Sequence, residues 1–176
     1  MAKVGEKRKM VGFDEFMKNR TNPMSDKFNI DRFHHIEFWC SDATQASHRF
    51  TWGMGMPLVA RSDITTGNNT YASHVIKSGE VVFMFTAPYS NSAADREGKG
   101  PVPHHDYDQD VAHEFVKKHG LAVRAIGVKC EDAAEAYKVA VANGATGIKE
   151  AYVAEDTATG TSMTISETQL FVDTVI

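Results

Sequence analysis

Apolar residues fall on alternate positions in two short runs of the chain: Ile36, Phe38 and Cys40 in the first, and Ile126, Val128 and Cys130 in the second. A spacing of two puts each trio on one face of an extended strand. Both runs lead into an aspartate, Asp42 or Asp132, followed three residues later by Gln45 or Glu135. That order predicts helix N-caps of the capping-box kind, in which the aspartate accepts from otherwise unpaired backbone N–H groups. Beyond the caps the period becomes helical. Ala43, Ala46, Phe50 and Met54 share one face, as do Ala133, Ala136, Tyr137, Ala140 and Val141, with stops expected near Gly53 and Gly144. Cys40-Ser41-Asp42-Ala43 and Cys130-Glu131-Asp132-Ala133 occupy equivalent places 90 residues apart, so a strand-helix unit is used twice.

After each helix the period returns to that of strands. In the first unit 57–63, 71–77 and 80–87 are rich in β-branched and aromatic residues, with Thr66-Gly67-Asn68-Asn69 and Ser78-Gly79 as turns. In the second, 151–155, 161–166 and 169–176 supply three strands, and the offset of 90 places the last of them at a module edge where the chain ends. Each unit therefore reads βαβββ. Between them a Gly-, Pro- and Ser-rich stretch, 90–106, predicts a loop, and 108–119 predicts a connecting helix through Val111, Phe115 and Lys118, stopped at Gly120. Residues 1–30 read as an extension with a short amphipathic helix through Val11, Phe13, Phe16 and Met17, ended by Asn22-Pro23. A single domain is expected over 31–176, with modules at 31–89 and 121–176 joined by 90–120.

Composition narrows the function classes. The 176 residues are 42% hydrophobic and 24% charged, enough to bury a core, and the formal net charge is −4. No basic stripe with interleaved aromatics is present for nucleic acid, and no apolar stretch follows the mildly basic start that could serve as a signal core or membrane span. A cytoplasmic protein with no nucleic-acid or membrane partner is the expectation. The two cysteines lie in no CxxC or zinc-type spacing and are expected to be reduced thiols.

Duplicated βαβββ units are the signature of an α+β architecture, the vicinal-oxygen-chelate (glyoxalase/bleomycin-resistance/dioxygenase-like) fold, a curved mixed sheet with helices outside. At the level of words the chain resembles the plant and algal 4-hydroxyphenylpyruvate dioxygenases. The likeness is carried by Arg32-Phe33-His34-His35-Ile36-Glu37-Phe38-Trp39-Cys40, Phe50-Thr51-Trp52-Gly53-Met54-Gly55-Met56, Phe85-Thr86-Ala87-Pro88-Tyr89 and His119-Gly120-Leu121-Ala122-Val123-Arg124-Ala125, with Val11-Gly12-Phe13, Ser25-Asp26-Lys27-Phe28 and Val141-Ala142-Asn143-Gly144-Ala145 extending it. The resemblance implies a protein about twice this long. Its C-terminal domain would hold Fe(II) through two histidines and a glutamate beyond Ile176, and it would convert 4-hydroxyphenylpyruvate and dioxygen to homogentisate and carbon dioxide. That reaction serves tyrosine catabolism and the supply of plastoquinone and tocopherol precursors. It implies further that this segment is the N-terminal half without catalytic, cofactor or metal residues, partnered by the C-terminal domain and by a second copy in a homodimer.

The residues also bear on chemistry of their own. His35, Glu37 and Trp39 share the strand face opposite Ile36, Phe38 and Cys40, and His34-His35 beside Glu37 resembles part of a facial triad. In the repeat the matching positions are Ala125 and Gly127, and the last strands offer only Asp173, so the ligand set is incomplete. A His35–Glu37 hydrogen bond is the expected use of that pair. None of His48, His74, His104, His105, His113 and His119 has ligand spacing. Gly53-Met54-Gly55 follows a helix and lacks a P-loop lysine. Trp39, Trp52, Met54 and Met56 are expected in the core rather than around a small molecule. Ser47 and Thr51 lie near His48 with no aspartate to orient a base, which argues against a nucleophilic triad. Two alternatives stand beside the dioxygenase half: a self-contained glyoxalase-like or extradiol-type metalloenzyme completed by dimerisation, and a metal-free binding protein of the same fold.

Overall fold

A computed structural model describes residues 28–90, 107–156 and 160–176. The amphipathic segment around Phe13 and the His104-His105 pair lie outside the described residues. The elements in chain order are β1 (Ile30–Trp39), α1 (Ala43–Met54), β2 (Leu58–Ser62), a 3-10 turn (Ile64–Thr66), β3 (Tyr71–Ser78), β4 (Val81–Pro88), α2 (Gln109–His119), β5 (Ala122–Cys130), α3 (Ala133–Ala142), β6 (Gly147–Asp156), β7 (Thr161–Phe171) and β8 (Thr174–Val175). The eight strands form one sheet in the order β2-β3-β4-β1-β5-β8-β7-β6. The first four are the strands of one unit and the last four those of its copy, in mirrored order. The architecture is the duplicated βαβββ sheet that the sequence pattern predicts.

The join between the units shows the repeat directly. Strands β1 and β5 run antiparallel, and Ile36 pairs with Ile126, its own counterpart at an offset of 90. On either side His35 faces Gly127 and Glu37 faces Ala125, as a pseudo-two-fold axis through the Ile36–Ile126 pair requires. Within each unit the first strand lies parallel to the last, β1 to β4 and β5 to β8. That arrangement needs a crossover, which the helix supplies.

Both aspartate caps form. Asp42 accepts from the Gln45 N–H, and Asp132 accepts from those of Ala134 and Glu135. Among the described residues the reciprocal bond of a full capping box appears instead at the 3-10 turn, where the Thr66 hydroxyl accepts from the Asp63 N–H at 2.8 Å. Replacing Asp42 or Asp132 with Ala is expected to cost about 0.5–2 kcal/mol each. Denaturant melts of the two variants measure it, and negligible losses at both would mean that the caps do not start the helices.

Several boundaries differ from the pattern. Helix α1 runs through Gly53 and stops at Gly55, whose φ of 70° is the left-handed conformation that ends helices. The second stop is Gly144, where Ala145 N–H to Ala140 O and Gly144 N–H to Val141 O, each 3.0 Å, make a Schellman motif. Strand β7 extends to Phe171, so the expected break between 166 and 169 falls at Val172-Asp173 instead. Polar residues there signal a turn, but Ser166 uses its hydroxyl to reach the Ala133 carbonyl and stays in the strand. Met54 ends its helix 68% exposed, and Ser47 takes the buried place beside Ala43 and Ala46. On α2 the buried pair is Ala112 and Phe115, whereas Val111 faces out.

Two apolar clusters hold the first unit. One joins Phe85, Ile76, Met56, Ala43 and Ala46, with Phe38, Phe50 and Phe83 packed against it, and so welds α1 to β1, β3 and β4. The other lies around Trp39, Tyr71, Tyr107, Ala112 and Phe115. Helix α2, expected as a connector, is therefore also a cover for the sheet face opposite α1. Helix α3 contributes no buried residue to either.

Candidate functional site

The face of β1 that carries Glu37 and Trp39 is built by strand alternation and closed by α2. Glu37 is 7% exposed, and its Oε1 accepts from Trp39 Nε1 at 3.1 Å and from Thr86 Oγ1 at 2.7 Å. Because the Thr86 proton goes to the carboxylate, Ser73 donates to Thr86 Oγ1 at 3.2 Å. The chain Ser73–Thr86–Glu37–Trp39 thus ties β1, β3 and β4 together through a buried acid. A bulge in β5 leaves Arg124 as the extra residue between the pairs Glu37–Ala125 and Phe38–Val123. Its guanidinium lies 4.7 Å from the Trp39 ring centroid. Bulges commonly re-aim a side chain in this way.

Tyr107 closes the cluster, its ring 4.3 Å from that of Tyr71 and 5.5 Å from that of Trp39. Burial, and then the negative field of Glu37, push its phenol well above the ordinary tyrosine range. Its hydroxyl is buried without a hydrogen-bond partner among the described residues. Cys40, on the other face, donates its thiol to the Thr86 carbonyl at 3.5 Å, and burial pushes it up to about 11. That is the environment of an inert thiol.

Metal ligation fits poorly here. His34 and His35 meet each other, Nδ1 to Nδ1, at 2.9 Å, and His35 packs so closely on Gly127 that a methyl group there would overlap its ring. Glu37 Oε1 is directed to Trp39 and Thr86. Asp173 is drawn away to the end of α2, where its Oδ2 accepts from Lys118 Nζ at 2.6 Å and His119 Nε2 at 2.7 Å. Lys118, and then His119, hold that carboxyl below its usual range. Among the described residues no group of three His, Cys, Asp or Glu side chains is placed to hold a metal ion.

The remaining histidines separate by place. His113 Nε2 meets the Tyr89 carbonyl at 3.0 Å, and His48 stacks on Trp52 with ring centroids 4.4 Å apart. His74 stands between Ser47 Oγ, 3.2 Å from its Nδ1, and Asp63 Oδ2, 3.4 Å from its Nε2. The aspartate that the sequence around Ser47 lacks is thus supplied through space, with His74 rather than His48 as its neighbour. The cross-strand pairing of β2 with β3, Arg61 to His74 and Ser62 to Ser73, brings Asp63 beside His74, and nothing in the local sequence announces it. Ser47 also bonds the Thr44 carbonyl at 3.0 Å from the middle of a helix and is 1% exposed. This trio clasps α1, β3 and the 3-10 turn together; it does not present a nucleophile. Thr65, through its hydroxyl, and then His74 among the further donors, keep the Asp63 carboxyl below its usual range.

No protein-family model matches the chain. Curated relatives do: it is 46% identical over 168 residues to the 4-hydroxyphenylpyruvate dioxygenase of Plectranthus scutellarioides, covering 96% of this chain and 36% of that one. To the Arabidopsis thaliana 4-hydroxyphenylpyruvate dioxygenase it is 44% identical over 172 residues, with 96% and 37% covered. The chain matches the N-terminal portion of the plant-type 4-hydroxyphenylpyruvate dioxygenases. It spans little more than a third of the length of these relatives. Among solved structures, a mutant of the 4-hydroxymandelate synthase from Streptomyces coelicolor superposes with a TM-score of 0.66 at 20% identity, over 84% of this chain and 37% of that one. Methylmalonyl-CoA epimerase from Mycobacterium tuberculosis gives 0.54 at 14% identity, over 81% of each chain. These matches show the vicinal-oxygen-chelate fold. Among the described residues no helix is long and apolar enough to cross a membrane.

Proposed function

We propose that the chain is the N-terminal, non-metal-binding part of an Fe(II)-dependent 4-hydroxyphenylpyruvate dioxygenase. The whole protein converts 4-hydroxyphenylpyruvate and dioxygen to homogentisate and carbon dioxide, in tyrosine catabolism and towards plastoquinone and tocopherol. In this reading residues 31–176 act as one domain, and the segment supplies no catalytic or cofactor-binding residue. It buttresses a C-terminal catalytic domain within a cytoplasmic homodimer. The observation that carries the proposal is the 46% identity along nearly the whole chain to a relative of which it covers 36%. The donor set agrees, since His34 and His35 face each other and Asp173 is held by Lys118 and His119. Those residues do not fit an Fe(II) site.

The test is elemental analysis of the purified chain after anaerobic exposure to Fe(II), with turnover of 4-hydroxyphenylpyruvate followed alone and with the C-terminal portion of a plant relative added. The expected result is no stoichiometric metal and no turnover alone, and turnover with the added portion. One tightly bound metal per chain, lost in His35→Ala, would overturn the proposal in favour of a self-contained metalloenzyme.

A further inference from the structure

A cavity of about 460 Å³ opens between α1 and the β2 edge of the sheet, on the side away from Glu37. Its volume is in the range of small-molecule sites, roughly 300–1,000 Å³. One wall is aromatic: His48 and Trp52, one helical turn apart, stack with rings inclined by only 17°. Trp52 is 81% exposed, so a large flat apolar surface faces water instead of entering the core. The opposite wall is Leu58 and Arg61 on β2, and the floor is His74, the cross-strand partner of Arg61.

The charges are unequally committed. Asp63 also lines the cavity, but its Oδ1 already accepts from the Thr65 N–H at 2.8 Å and the Thr65 hydroxyl at 2.6 Å, and its Oδ2 faces His74. Arg61 makes no hydrogen bond or ion pair among the described residues and acts on Asp63 only through the field of its charge, the smallest of that carboxyl's stabilising influences. Its guanidinium offers a planar fork of donors suited to a carboxylate, opposite a ring stack suited to an aromatic group. We propose that the cavity bounded by His48, Trp52 and Arg61 binds a small aromatic carboxylate, ring against Trp52 and carboxylate on Arg61. The ligand lies on the helix side of the sheet, and its binding requires neither iron nor turnover. Its success or failure is therefore separate from that of the dioxygenase reading.

The experiment is a titration of the isotopically labelled chain with phenylacetate, followed by nuclear magnetic resonance at the two tryptophan indole N–H groups and the arginine side chains. A saturable shift at Trp52 is expected, with the Trp39 indole unmoved. Arg61→Gln and Trp52→Ala should each weaken binding by about tenfold or more, as should replacing the probe by cyclohexylacetate, which lacks the aromatic ring, or benzyl alcohol, which lacks the charge. Both side chains are exposed, so folding should persist; His48→Ala provides a second aromatic-wall variant if Trp52→Ala does not fold. A shift that does not saturate, one centred on Trp39, or equal affinity for all three probes or in Arg61→Gln would overturn the proposal.

Discussion

Replacing Phe85 with Ala is expected to cost about 3–5 kcal/mol of folding stability. Phe85 has no exposed surface, and its ring lies 5.3 Å from that of Phe38 and 5.1 Å from that of Phe50. It therefore touches β1 and α1 at once from its place on β4. Collapse cannot refill the vacated volume cheaply, because Phe38 and Phe50 are themselves set edge-on against Phe83, 5.5 and 5.7 Å away. Each would have to leave a rotamer fixed by another aromatic ring. Equilibrium denaturation measures the loss, and a value below about 1 kcal/mol would mean that the helix and sheet are not joined through this residue.

This core is legible in the amino-acid sequence because it is made by periodicity. Ile36, Phe38 and Cys40 alternate as a strand must, and Ala43 and Ala46 recur as a helix must. The 90-residue offset then announces that the arrangement is repeated. What stays hidden depends on contacts across the sheet. Thr86 reaches Glu37 over a separation of 49 residues, and His74 reaches Ser47 over 27. Neither distance leaves a local signature. Trp52 departs from its expected place in the core: it stacks on His48, one helical turn away along α1, and stays exposed. The expected break in β7 fails because polar residues mark both turns and solvent-facing strand positions, and Ser166 occupies a strand.

Glu37→Ala is expected to be the most damaging change outside the apolar core, at about 2–4 kcal/mol. It strands two buried donors, Trp39 Nε1 and the Thr86 hydroxyl, and an orphaned buried donor costs about 1–3 kcal/mol where an ordinary hydrogen bond contributes about 1. Glu37→Gln keeps an amide oxygen of nearly the same shape, which can accept from the same two groups, so its loss should be half as large or less. Unfolding by denaturant ranks the variants, and the Trp39 indole proton resonance reports whether its bond survives. If both variants lost less than about 1 kcal/mol, the buried acid would not be organising β1, β3 and β4. The same comparison separates packing from polarity, because neither substitution enlarges the side chain.

The pairing of Ile36 with Ile126 also sets the order in which the chain can fold. Hairpins such as β3–β4 close over a few residues, and each crossover helix carries its chain to the outer strand of the same unit. The junction of β1 with β5 instead joins positions 90 residues apart. Closing so long a loop costs about 4 kcal/mol of chain entropy before the first seam contact compensates for it. Each unit can therefore begin to organise alone, while the seam between them waits for both. That seam is therefore expected to form late and to slow folding, in the manner of topologies with high contact order.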